Sequence, residues 1–182
     1  MSRVVDGVKG AVAAGLKGGT KVGGELVEMV KDVTVASLKG AGDIGETSME
    51  AAGSVVEGAL DGASDAGAAS VETVKAVVQG AIKGVKEAGG DHEKAVKGAV
   101  AQALHGAKKL GMNLADAATD AVKGAIDAVR ELGGDVLQAT EDSVNTALQT
   151  TEEIALDAYD EVKKTLSETV DGAKQIVDAA TK

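Results

Sequence analysis

The sequence predicts an all-α fold, organised as a single array of tandem 22-residue amphipathic helical repeats over residues 1–182. Three observations predict it. Branched aliphatic residues recur every 22 positions, glycine recurs at a fixed phase of the same period, and proline is absent from the chain. Proline inside a helix removes a hydrogen bond and clashes with the preceding turn, so its absence is typical of a chain that is helical almost throughout.

The 22-residue period is clearest in two apolar series, which are the predicted apolar interface. The first holds a branched aliphatic residue at every step: Leu16, Leu38, Leu60, Ile82, Leu104, Ile126, Leu148 and Val170. The second departs from this only at Thr34: Val12, Thr34, Val56, Val78, Val100, Val122, Val144 and Leu166. Together they predict eight units over about residues 3–178. Since 22 is twice 11, and 11 residues make three helical turns, the apolar stripe stays on one face of a nearly straight helix.

Glycine punctuates these units and predicts where the chain turns. The turn and packing glycines share one phase: Gly23, Gly45, Gly67, Gly89, Gly111 and Gly133. Glycine suits the residue after a helix, and Asp91, Asn113 and Asp135, two residues after their glycines, are good N-cap residues. We therefore expect turns near 23–24, 45–46, 89–90 and 133–134, within a long antiparallel helix bundle or a helical-hairpin array. Because the glycine series stops after Gly133, one long helix is expected over 135–180.

A different use of the same glycines gives an alternative arrangement. If some of them lie inside helices, where a missing Cβ lets backbones approach closely, the chain turns only at the Gly-Gly-Asp sites. That alternative predicts four helices of about 44 residues, each roughly 60 Å long.

The helical faces are graded in size and charge. The apolar arc is rich in Ala and Val, Tyr159 is the one aromatic residue, and 25 residues are glycine, so isolated helices should be marginal in water. A flank of small residues, including Gly62, Gly84 and Gly106, favours close helix packing. A cationic border follows the other edge of the arc: Lys9, Lys31, Lys75, Lys97, Lys108, Arg130, Lys163 and Lys174. Lysine stems at such an edge suit either a lipid interface or the rim of a bundle core.

Charge and composition exclude several classes of function. A net charge of −10 disfavours binding to nucleic acid. The charge falls in blocks of +2, −6, +3 and −9 that could pair within or between chains. The sequence has neither cysteine, a signal-peptide pattern nor an apolar run long enough to span a membrane, so an intracellular, cytoplasmic protein is expected.

The residues that carry chemistry are not grouped in the sequence. His92 and His105 are 13 residues apart and fall on nearly opposite faces of one helix, so they cannot share a metal ion. The run from Gly15 to Lys21 has Thr before Lys and no preceding strand, unlike a phosphate-binding loop. We expect no enzyme activity, cofactor, metal ion or small-molecule substrate.

The 11- and 22-residue amphipathic units resemble exchangeable apolipoproteins, the lipid-surface helices of perilipins and synucleins, and group 3 late-embryogenesis-abundant proteins. The resemblance is one of pattern and covers nearly the whole chain, although the proline between apolipoprotein units is absent. It implies a non-catalytic role on a surface or as a protectant. The first expectation is a structural protein that coats a lipid or other apolar surface. The alternatives are a self-assembling scaffold or filament subunit, whose partner is itself, and a desiccation or stress protectant.

Overall fold

The computed structural model describes residues 2–39 and 44–182, which form a bundle of α-helices without a β-strand. The prediction of an all-α fold is confirmed. The α-helices are α1 (Ser2–Lys17), α2 (Gly24–Leu38), α3 (Ile44–Asp65), α4 (Val71–Glu87), α5 (His92–Lys109), α6 (Leu114–Glu131), α7 (Val136–Ile154), α8 (Tyr159–Thr169) and α9 (Ala173–Ala180). A short 3₁₀ turn, Leu156–Ala158, precedes α8.

Glycine ends four of these helices in the same way, as the turn from α4 to α5 illustrates. Gly89 has a φ of 96°, a left-handed conformation that favours glycine, and the Gly90 amide donates to the Val85 carbonyl at 2.8 Å. The Asp91 carboxylate then accepts from the amide of Glu93 at 2.9 Å and begins α5. The same left-handed glycine and backbone hydrogen bonds recur at Gly67, Gly111 and Gly133.

Two expectations about the turns are wrong. Gly45 is the second residue of α3, so no turn lies at 45–46; α2 ends at Leu38, and residues 40–43 lie outside the described part of the chain. The alternative of four 44-residue helices also fails, because the chain leaves the helical conformation at Gly23, Gly67 and Gly111 as well as at the Gly-Gly-Asp sites.

The single long helix expected over 135–180 is also wrong. The helix breaks at Ala155, whose φ of −156° and ψ of 68° are not helical, and again at Gly172, with a φ of 82°. Ala155 occupies the phase of the glycine series, so the break keeps the period without the glycine. Beyond it α8 packs on α6, which buries Leu166 and Val162 in the core. Burial of these side chains outweighs the continuity of the helix.

The helices lie in two rows, because each one from α1 to α6 makes its most extensive contacts with the helix two places further along the chain. We call α1, α3, α5 and α7 the odd row, and α2, α4, α6 and α8 the even row. Neighbours within a row run parallel: Gly58 of α3 lies against the Val5 carbonyl of α1, and Gly62, one turn later, lies against the Lys9 carbonyl. The apolar core lies between and along the two rows.

Helical glycines bring the backbones of a row together. A Cβ on Gly80 of α4 would lie 2.6 Å from the Val27 carbonyl oxygen of α2, and one on Gly124 of α6 would lie 2.5 Å from that of Lys75. Gly98 of α5 is still closer to the backbone of Met49 in α3. These distances are shorter than real Cβ contacts, so a larger residue would push the helices of a row apart.

We expect Gly98→Ala to destabilise the fold by about 1–3 kcal/mol, because the added methyl meets the Met49 backbone, which cannot turn away. Gly24→Ala is the matched control, since a Cβ there meets no atom within 4 Å in the described structure. It should change stability by less than about 1 kcal/mol. Urea denaturation followed by circular dichroism measures both free energies of unfolding. Equal effects of the two changes would contradict the close approach.

Candidate interaction surface

The predicted apolar interface is turned inward. All of its residues except Leu16, which is partly buried and packs against the core, are at most 8 % exposed. The large hydrophobic side chains that are exposed in the described residues are few and separate in sequence: Val22, Met49, Leu137 and Leu156. The apolar arcs of this structure therefore contact one another.

The cationic border joins helices of the same row. In four ion pairs the lysine lies on one helix and the carboxylate lies two helices further along: Lys9 with Asp65 at 3.1 Å, Lys31 with Glu87 at 3.9 Å, Lys75 with Asp127 at 2.9 Å, and Lys97 with Asp142 at 3.2 Å. Lys108 of α5 donates to the Ile154 carbonyl of α7, and Arg130 pairs with Asp127 of its own helix at 2.8 Å. Lys163 and Lys174 lie on α8 and α9. Most of this border thus contacts the rim of the bundle.

A network of hydrogen bonds crosses the even row on its outer surface. Lys83 of α4 donates to Glu131 of α6 at 2.7 Å and to Glu28 of α2 at 3.2 Å, and Gln79 donates to Glu131 at 2.6 Å. Hydrogen bonds from Lys31 and Lys83 lower the pKa of Glu28. The hydrogen bond to Glu131 raises the pKa of Lys83, against a smaller opposing effect of burial. The network holds three successive helices of the row in register.

An open groove of about 570 Å³ lies beside this network, between α2, α4 and α6. Its described lining carries four carboxylates and two lysines, and Val27 and Ala76 supply apolar surface. Burial raises the pKa of Asp120 in this groove, although Lys123 and Lys75 oppose the rise. The lining holds no serine, threonine, cysteine or histidine, so it offers no nucleophile with an adjacent imidazole base.

The two histidines lie apart. His92 is the first residue of α5 and is partly buried, and His105 is exposed near the other end of the same helix. Across residues 2–39 and 44–182, no three His, Cys, Asp or Glu side chains are grouped so that they could hold a metal ion. Within that same part of the chain, no helix combines the length and apolarity needed to span a bilayer.

One end of the array presents an uncovered face, which we call the end face. It consists of Arg3, Gly7, Gly10 and Ala14 on α1 and Glu25, Met29, Asp32 and Ala36 on α2. In steps of 22, Gly10 corresponds to Gly98, and Ala14 corresponds to Gly58, Gly80 and Gly124. These four glycines contact the helix two places earlier. No described helix lies two places before α1 or α2, and a Cβ on Gly7 or Gly10 would meet no described atom within 4 Å.

Sequence reasoning identified the small-residue flank but not the end face. The signal was available in the period, because the positions of Gly10 and Ala14 repeat at the glycines of later helices. What was missing was the pairing of each helix with the one two places away, which the wheel of a single helix does not contain. Comparison with known proteins adds no assignment: no protein-family model matches the chain, and no curated protein matches it.

Lys83→Met should cost less than about 1 kcal/mol at pH 7, because the ion pairs are largely solvated. Glu28 has a pKa lowered from its ordinary 4.5, so its contribution is present above pH 4.5 and is lost as pH falls through the lowered value. The raised pKa of Lys83 makes its contribution present below pH 10.5 and lost as pH rises through the raised value. Urea denaturation at pH 7 and pH 3 should show a smaller effect of the substitution at pH 3. An effect of equal size at both would contradict the network.

Asp120→Asn should stabilise the protein at pH 7 by roughly 0.5 kcal/mol, because burial disfavours the carboxylate. Since the pKa of Asp120 is raised, the native state binds the proton more tightly. The cost of the charged form is therefore present above the raised pKa and disappears below the ordinary 3.8. Thermal unfolding at pH 7 and pH 3 measures this, with the exposed Asp178→Asn as control. A loss of stability at pH 7 would show that the charged form makes a needed interaction.

Proposed function

We propose that this chain is a non-catalytic structural repeat protein that works by self-association, as the subunit of a scaffold or filament. The observation that carries the proposal is the end face, which has the small residues of the internal contacts and no described helix packed on it. Repeat arrays bury their apolar faces by stacking neighbours, so an uncovered face of this kind is suited to a further neighbour.

The 22-residue unit belongs to the same proposal. Contacts within the rows recur when both partners move by 22 residues: Gly58 meets Val5 as Gly80 meets Val27. The ion pair Lys9–Asp65 likewise recurs as Lys31–Glu87. These repeated contacts support eight units that enter the odd and even rows in turn. Short connections between parallel rows then make successive helices antiparallel, as in an array of helical hairpins.

A second candidate is the coating of a lipid or other apolar surface. It is favoured by the lysines at the edge of the apolar arc, which suit an anionic headgroup layer. Because the arcs are buried, this function requires the helices to separate before they bind. A core of Ala and Val makes that opening less costly than a core of larger side chains would. The protectant function would instead require a chain that is unfolded in dilute solution.

Circular dichroism and light scattering on the purified chain separate these functions. For a self-associating scaffold we expect high helicity in buffer, and a particle mass that rises above 18.0 kDa with concentration and does not respond to anionic vesicles. Low helicity that rises sharply with vesicles would favour the lipid coat, and low helicity with or without vesicles would favour the protectant. A fully helical monomer that neither concentration nor lipid changes would contradict all three.

A further inference from the structure

We propose that the end face docks on the end face of a second copy of this chain, with α1 of one copy lying against α2 of the other. The result is a two-fold symmetric dimer with two equivalent α1–α2 contacts. This inference rests on the proposed self-association and specifies the surface and the partner that carry it.

The first argument is continuity with the packing inside the rows. Where α3, α4, α5 and α6 carry the residues equivalent to Gly10 and Ala14, they lie in close contact with an earlier helix. On α1 the equivalent residues are as small, and Arg3, Gly7, Gly10 and Ala14 are all exposed. The end face can therefore accept a helix at the same short separation as the internal contacts. A second copy offers a helix of the same repeat.

The second argument is the difference between the two ends of the array. On the far side, α9 packs on α7 and α8, and Ile176 and Ala179 lie next to Glu141 and Asn145 of α7. The position that a further helix of the odd row would take on α7 is thus filled by α9. Head-to-tail stacking would require α9 to leave, whereas contact between two end faces requires no rearrangement.

The third argument is charge. The α1 part of the end face carries Arg3, and the α2 part carries Glu25 and Asp32, whose side chain is 73 % exposed. Pairing α1 with α2 of the other copy sets cation against anion twice, whereas pairing each helix with its own copy sets like charges together. With α1 antiparallel to that α2, Gly10 lies opposite Met29, so the longer side chain meets the position without one, and Arg3 lies within about one turn of Asp32.

Sedimentation equilibrium of the full chain tests the dimer, with an expected mass of twice 18.0 kDa. Gly7→Gln with Gly10→Gln should weaken dimerisation at least about tenfold, because the added side chains hold the second copy away. The monomer should keep its fold, since both positions are open and glutamine is a better helix former than glycine. Gly24→Gln, also at an open helical glycine but outside the end face, is the matched control and should leave the dissociation constant unchanged.

A charge exchange tests the choice of partner helix. Arg3→Glu alone should weaken the dimer several-fold, and adding Asp32→Arg should restore most of the affinity because the opposite charges are again paired across the interface. Failure of the second change to restore affinity would overturn the pairing of α1 with α2. Circular dichroism confirms that each variant remains helical.

The outcomes distinguish this inference from the proposed function. If the native chain self-associates but Gly7→Gln with Gly10→Gln does not weaken it, or if Gly24→Gln weakens it equally, the end face is not the interface and self-association stands. If the native chain stays monomeric up to about 1 mM, the inference and the scaffold function both fail.

Discussion

The close approach of each helix to the one two places earlier is the constraint on which the rest of this structure depends. Glycine is an unfavourable helix residue, by about 1 kcal/mol against alanine, yet Gly58, Gly80, Gly98 and Gly124 all lie in helix interiors. At each of them a carbonyl group of the earlier helix occupies the space that a Cβ would need. Parallel rows at this spacing gain dispersion contacts along whole backbones, which compensates for side chains that contribute little burial of their own.

The composition of the core follows from that spacing. Helices whose backbones touch leave room for Ala and Val but little for larger side chains, and the leucines and isoleucines that are fully buried, such as Leu60, Ile82 and Leu104, recur at one phase per unit. A buried alanine contributes roughly the transfer free energy of one methyl group, about 0.8 kcal/mol. Stability must therefore be distributed over many small contacts between neighbouring units, as is general for repeat arrays.

The sequence was sufficient for the features that act over a few residues. The all-α class and the caps at Asp91, Asn113 and Asp135 follow from local chemistry, and each lies where the structure has it. Features that depend on distant contacts were not predictable. Gly45 shares the phase of the turn glycines but lies in α3, and Ala155 interrupts a helix although alanine is the best helix former. At Ala155 the packing of α8 on α6 overrides the local preference.

The same limit explains why the sequence left the role of the lysine column open. On the wheel of one helix, a lysine beside an apolar arc is equally suited to a phosphate headgroup and to the rim of a core. The distinction lies in the carboxylates, and those that meet Lys9 and Lys31 are at Asp65 and Glu87, far along the chain. Once these pairs form, transfer of the apolar arcs to a lipid surface would separate them along with the core. Addition of a helix to the end face would leave them intact, and for that reason the structure favours growth of the array over its opening.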